Sequence, residues 1–161
     1  MPARPFRVGR SPTGLGLFAV RPIKDREYIL TYVGRRIPTP VAHERERRRG
    51  LKYMFEIDAR WTIDGSSRKN LGRYVNHSCR PNAEPLLRRG RIVLIAARAI
   101  REGEEITFDY GEEYVELFFK TGCRCAACMA KAARRKSGGV AKQRRRSRSP
   151  YGAKRISPRR F

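Results

Sequence analysis

The sequence predicts a mainly β domain carrying one short helix and a basic extension. Three observations point there. Val, Ile, Leu, Phe and Tyr recur in short runs bounded by Gly, Pro or charged residues, a strand pattern. Only one stretch has good helical punctuation, and the composition changes abruptly near residue 130.

Taken in order, the strand segments are "EYILTYVG", "YMFEID", "RIVLIAARAI" and "EEITFDYG", with a further apolar strand after the glycines of "TGLGLFA". The helical stretch is "TPVAHERERRRG", where Thr39 can cap, Pro40 suits the first turn and Gly50 can terminate. With 161 residues, the chain suits one compact core plus an extension. Residues 131–161 contain no acidic residue and little periodic hydrophobicity, so they are expected to be disordered when free. The expected organisation is therefore a catalytic-sized domain over 1–120, a cysteine segment over 121–130 and a basic tail over 131–161.

The balance of 38 Lys and Arg against 15 Asp and Glu gives a formal charge of +23, far above what solubility requires. Long-range attraction to a polyanion or an acidic surface follows, without naming a reaction. Neither a secretory signal nor a run of about 18 apolar residues is present, so the chain is expected to be soluble and intracellular.

Four local features bear on chemistry. "TGLGLFA" places Gly14 and Gly16 around Leu15 ahead of a strand, which serves either a tight turn or a backbone passing close to a ligand. "RYVNHSCRPN" crowds Asn76, His77, Ser78 and Cys79 together. Those groups can read an adenine edge or a carboxylate, or can simply satisfy a polar turn. "EEITFDYG" ends on Phe108, Asp109 and Tyr110, which can pack in a core or present a phenol to a cavity.

The cysteines are more telling, because Cys123, Cys125 and Cys128 cluster in "CRCAAC" and the fourth is Cys79. Four thiolates complete one tetrahedral zinc site, and the spacing in a chain without an export signal favours metal over disulfides. Such a metal would tie the segment near residue 125 to the loop at residue 79.

Together "GLG", "YVG", "RYVNHSCRPN", "EEITFDYG" and "CRCAAC" resemble, in order and spacing, the SET-domain protein-lysine methyltransferases with a post-SET zinc segment, over residues from about 8 to 129. The resemblance implies a β-clip of small sheets in which the "NHSC" segment is threaded as a pseudoknot beside the "FDY" strand. It implies that Arg73, Tyr74, Asn76 and His77 contact S-adenosylmethionine, that Gly14, Leu15, Gly16 and Leu17 lend backbone, and that Tyr53 shapes the same pocket. Tyr110 would position the lysine nitrogen against the methyl group and contact both. Tyr32 and Phe108 would line the lysine channel with it, while Cys79 faces zinc. A phenyl at Phe108 leaves room for repeated methylation, so di- or trimethylated product is expected.

The resemblance further implies a basic protein substrate, a histone or histone-like tail. The compact form resembles stand-alone bacterial or viral members, which sets the expected compartment as nucleoid or cytoplasm, or the nucleus of a eukaryotic cell. One departure is that "CRCAAC" leaves two residues before its third cysteine where related segments leave four. The tail adds two expectations: DNA or chromatin contact through its arginines, and methylation of Lys136, whose "AARRKSGG" context resembles a histone tail. The rival reading is a non-catalytic nucleic-acid-binding protein that keeps the fold as a scaffold.

Overall fold

The computed structural model describes residues 4–49, 53–119 and 121–137. In chain order these hold strands β1 (Phe6–Ser11), β2 (Gly14–Ala19), β3 (Tyr28–Tyr32) and β4 (Arg35–Pro38), then helix α1 (Thr39–Arg49). Strands β5 (Met54–Glu56) and β6 (Trp61–Asp64) follow, then a 3-10 helix (Leu71–Tyr74) and β7 (Asn76–His77). Strands β8 (Ala83–Arg88), β9 (Arg91–Ala96) and β10 (Glu105–Phe108) precede helices α2 (Glu112–Phe118) and α3 (Ala126–Ser137).

The strands form three small sheets, ordered β1-β2-β10-β7, β3-β9-β8 and β4-β6-β5. Turn chemistry fixes the registers. Arg89 and Gly90 both take positive φ (48° and 73°), the pattern of a two-residue hairpin turn, and so set Arg88 opposite Arg91. Strand β9 runs through the centre of its sheet and is buried from Ile92 to Ala96, as its unbroken apolar run requires. Leu17, Ile23, Ile100 and Ile106 join it in one core shared between sheets.

One pairing matters most for the site. Strand β7 lies parallel to β10, with Asn76 opposite Thr107 and His77 opposite Phe108. A tight hairpin cannot make a parallel pair, and the intervening chain carries β8 and β9. Asn82 clamps the crossing. Its amide donates to Glu104 Oε1 (3.0 Å) and to the Glu105 carbonyl (2.8 Å), while its Oδ1 accepts from the Thr107 N–H (2.8 Å). Expected only as a turn residue, Asn82 is instead 2% exposed, because a side chain with donors and an acceptor can replace a missing ladder.

Other expectations need correction. Thr39 starts α1, but its hydroxyl bonds the Asp58 carbonyl and Thr62 Oγ1, both at 3.0 Å, so it fastens the helix to sheet β4-β6-β5 and does not cap it. Gly50 lies outside the described residues. Helices α2 and α3 were not expected. Helix α3 crosses the boundary placed at 130 and continues to Ser137, so residues 131–137 are helical where disorder was expected. Its Ala, Met, Lys and Arg content favours helix once an end is anchored. The backbone of Lys136 therefore sits in a helix, not in an extended segment resembling a histone tail.

Candidate active site and metal centre

Tyr32 ends β3 with its ring buried, and its hydroxyl donates to the Tyr53 carbonyl at 2.9 Å. Gly65 makes that approach possible: a Cβ there would lie 2.4 Å from the Tyr32 hydroxyl. From Tyr32 an aromatic wall continues to Phe55 (centroids 5.3 Å), Phe108 (6.0 Å from Phe55), Tyr110 (4.8 Å from Phe108) and Tyr114 on α2 (5.0 Å from Tyr110). Tyr32, Phe108 and Tyr110, separate in sequence, thus share one wall.

Tyr110 follows β10 and is pinned at both ends. Its N–H donates to His77 Nδ1 at 3.2 Å, and its hydroxyl donates to the Val75 carbonyl at 2.6 Å. The ladder between β7 and β10 is what brings it there. Burial above all, then the neighbouring phenols of Tyr114 and Tyr32, pushes the Tyr110 hydroxyl far above its ordinary pKa. Burial does the same to Tyr32 and Tyr114. All three phenols stay protonated near neutrality, so none is a base there.

Arg73 lies in the 3-10 helix with its guanidinium carbon 4.1 Å from the centroid of the Tyr53 ring and 5.6 Å from that of Tyr74. One terminal nitrogen donates to the Ser66 carbonyl. Its Nε is buried with no partner among the described residues, which suits an acceptor brought by a ligand. Asn76 donates through Nδ2 to Glu105 Oε1 (2.7 Å), the Leu15 carbonyl (3.1 Å) and Ser11 Oγ (3.2 Å), and among the described residues nothing donates to its Oδ1. Gly14 and Leu15 are exposed beside it.

Arg73 thus offers a donor without an acceptor, and Asn76, bonded to the Leu15 carbonyl beside the open glycine turn, offers an acceptor without a donor among the described residues. They fit a zwitterionic amino-acid group. Leu17 departs from this arrangement, being fully buried between Val8 and Ile106 in the sheet, so it belongs to the core and not to the open turn.

The four cysteines converge. Their sulfurs all lie within 4.8 Å of one another, with Cys79 3.7 Å from Cys123 and 3.6 Å from Cys128. A tetrahedral ion with metal–sulfur bonds of about 2.3 Å would set its sulfurs about 3.8 Å apart, so the cluster fits. The short spacing is explained by α3, which starts at Ala126 and brings Cys128 one turn on from Cys125. Burial alone would raise the Cys125 thiol, but the N–H groups of Cys79 and Cys128 and the neighbouring thiols prevail and push it down to about 6.

His77 joins the two centres. Nδ1 accepts from Tyr110, leaving the ring proton on Nε2, 3.3 Å from Cys79 Sγ. Burial lowers its pKa and Asp109, 3.5 Å from Nδ1, opposes this without reversing it, so the ring is neutral.

Sequence reasoning missed Glu105, Asn82 and Tyr114. For Tyr114 a signal existed, since Tyr114 and Phe118 are four residues apart and pack with centroids 4.5 Å apart on one helical face. Glu105 offered none, because a strand glutamate ordinarily faces solvent.

Three small sheets, a parallel pairing that delivers a tyrosine to an Asn-His pair, and a four-cysteine cluster that could hold a metal ion define the class of β domain. Residues 14–111 match the SET domain family, and the chain belongs to it. It is 44% identical over 123 residues to histone-lysine N-methyltransferase set-2 of Caenorhabditis elegans, covering 71% of this chain and 8% of that protein. It is 37% identical to histone-lysine N-methyltransferase trr of Drosophila melanogaster, covering 71% of this chain and 5% of that protein. It is 39% identical over 104 residues to the H3 lysine-4 specific histone-lysine N-methyltransferase of Saccharomyces cerevisiae, covering 59% of this chain and 10% of that protein. The chain therefore spans roughly a tenth or less of these relatives, which are animal and yeast proteins. No helix among the described residues is long and apolar enough to cross a membrane.

Proposed function

We propose that this chain is an S-adenosylmethionine-dependent protein-lysine N-methyltransferase acting on a basic histone tail, with the lysine-4 site of histone H3, named in several relatives, as the first target to test. The observation that carries the reading is the placement of Tyr110 against His77 and Val75, with the aromatic wall leading to it. S-adenosylmethionine, when bound, supplies a methyl group activated by a sulfonium. Arg73 and Asn76 would hold its amino-acid end, with His77, Tyr74, Tyr53 and the turn Gly14 to Gly16 around them.

The chain's part is then binding, alignment and exclusion of water. A lysine ammonium entering past Tyr32, Phe108 and Tyr110 loses hydration, which favours the neutral nucleophile without a protein base. Holding the amine in line contributes about 7 to 11 kcal/mol when positioning is good. Cys79, Cys123, Cys125 and Cys128 would hold zinc, which fastens α3 to the loop beyond β7. Residues 1–120 form the catalytic part, the metal segment starts at 121, and the basic tail serves contact with DNA or chromatin in a nuclear setting.

Incubating the chain with isotopically labelled donor and a histone H3 peptide should transfer label to lysine. Tyr110→Phe should lower turnover by roughly two orders of magnitude while donor affinity changes little. The net charge of +23 favours one rival, a nucleic-acid-binding scaffold without catalysis. Calorimetry separates the two, because a scaffold that lost its cofactor site gives no heat with S-adenosylmethionine.

A further inference from the structure

Among the described residues the Glu105 carboxylate forms no ion pair with Lys or Arg. It bonds an amide instead, at 2.7 Å from Asn76 Nδ2, the shortest of the three contacts around that nitrogen. The Glu105 carboxylate and the Leu15 carbonyl can only accept, so the carboxamide sits with its nitrogen toward them and its Oδ1 the other way. A charged acceptor also polarises the amide, which strengthens Oδ1 as an acceptor in turn.

Gly16 completes the device. A Cβ on Gly16 would lie 2.4 Å from Glu105 Oε1 and 3.2 Å from Asn76 Nδ2, so the carboxylate reaches Asn76 only across a residue without a side chain. The neighbouring registers explain why: Glu105 faces Phe18 across the ladder, and β2 leaves the residues before Leu17 unpaired with β10.

We infer that Glu105 is a positioning residue that orients Asn76 so that its Oδ1 receives the α-ammonium of the methyl donor. This rests on the methyltransferase reading. The donor offers hydroxyl, amino and ammonium hydrogens, and only the ammonium carries the charge that an acceptor backed by a carboxylate selects. Glu105 acts through Asn76 and does not itself touch the donor. The same device holds the product, S-adenosylhomocysteine, whose amino-acid group is unchanged.

Calorimetry on the full chain tests this with three probes: S-adenosylmethionine, S-adenosylhomocysteine, and 5′-methylthioadenosine, which lacks the amino-acid group. Glu105→Ala should weaken the first two by roughly tenfold or more and leave the third unchanged. Glu105→Gln keeps an acceptor without its charge and should fall between. Gly16→Ala should weaken the first two probes as well, by displacing the carboxylate. Equal binding of the donor by wild type and Glu105→Ala overturns the inference while leaving the methyltransferase reading intact. Parallel weakening of all three probes also overturns it, since that marks a general loss of the pocket. No binding by the wild-type chain sinks the methyltransferase reading itself, and the inference with it.

Discussion

At Phe108 the ring is 8% exposed and packs between Phe55 and Tyr110, so the wall that would meet a lysine methylene is hydrocarbon at this point. A hydroxyl there would need a partner and would draw water into the wall, shrinking the space for an already methylated nitrogen. Wild type should therefore yield di- or trimethylated peptide at exhaustive turnover, and Phe108→Tyr should stop earlier, as mass spectra of the product would record. Monomethyl product alone from wild type would count against this view. The neighbouring phenols make a second statement about single residues. Burial raises Tyr110, Tyr32 and Tyr114 far above the ordinary value near 10, so their protons remain while a lysine of reference pKa about 10.4 is losing its own. Single-turnover rate should rise steadily from pH 7 to pH 9.5, and a falling limb in that window would show that a tyrosine ionises.

Strand β10 is where the elements of the site meet, since β2 flanks it on one side and β7 on the other, and Asn82 replaces part of the ladder. Asn82→Ala would leave the Thr107 N–H without its acceptor and should lower unfolding free energy by about 2 to 4 kcal/mol in urea titrations. Its partner Glu104 carries a pH dependence. Burial opposes ionisation, but the Arg98 guanidinium, the Arg101 N–H and the Asn82 amide prevail and hold the carboxyl below the usual range. With a folded pKa below the unfolded value of about 4.3, that stabilisation is complete above 4.3 and disappears as pH falls through the folded value. Glu104→Gln should narrow the gap in urea midpoint between pH 7 and pH 3; an unchanged gap would assign the acid sensitivity elsewhere. Much of this organisation was legible. Apolar runs announced β2, β3, β5, β9 and β10 but not β1, β4, β6, β7 or β8, whose short or charge-interrupted segments lack such a run, and Thr39 to Arg49 announced its helix. The cysteine spacing and the five ordered motifs pointed to the residues around Tyr110. What escaped depends on distant contacts. Asn82 reads as a turn residue until β10 is beside it, and α2 and α3 gain order from aromatic packing and the cysteine cluster, which local propensity does not contain.

For the whole molecule, the basic residues fall into two groups: 13 of the 38 Lys and Arg lie in residues 131–161 with no acidic residue among them, while the other 25 share residues 1–130 with all 15 Asp and Glu. Residues 131–135 are exposed on α3, and the arginine-rich runs lie beyond it in sequence, while the candidate site is walled by aromatics. The family match takes in 98 residues, and the relatives devote most of their length to other sequence. In the proposed reading the basic extension contributes to localisation, by an interaction that carries no sequence specificity. Phosphate contacts release counterions, so affinity for duplex DNA should fall by about a thousandfold or more between 50 and 200 mM salt if six or more are made. Replacing Arg144, Arg145, Arg146 and Arg148 with Gln in the full chain should flatten that salt slope by several contacts while donor binding holds its wild-type value. Filter binding across a salt series, paired with calorimetry, reads both. A slope unchanged by those substitutions would move the polyanion surface onto the folded domain, and a simultaneous loss of donor affinity would mean that the basic tail and the site are not independent.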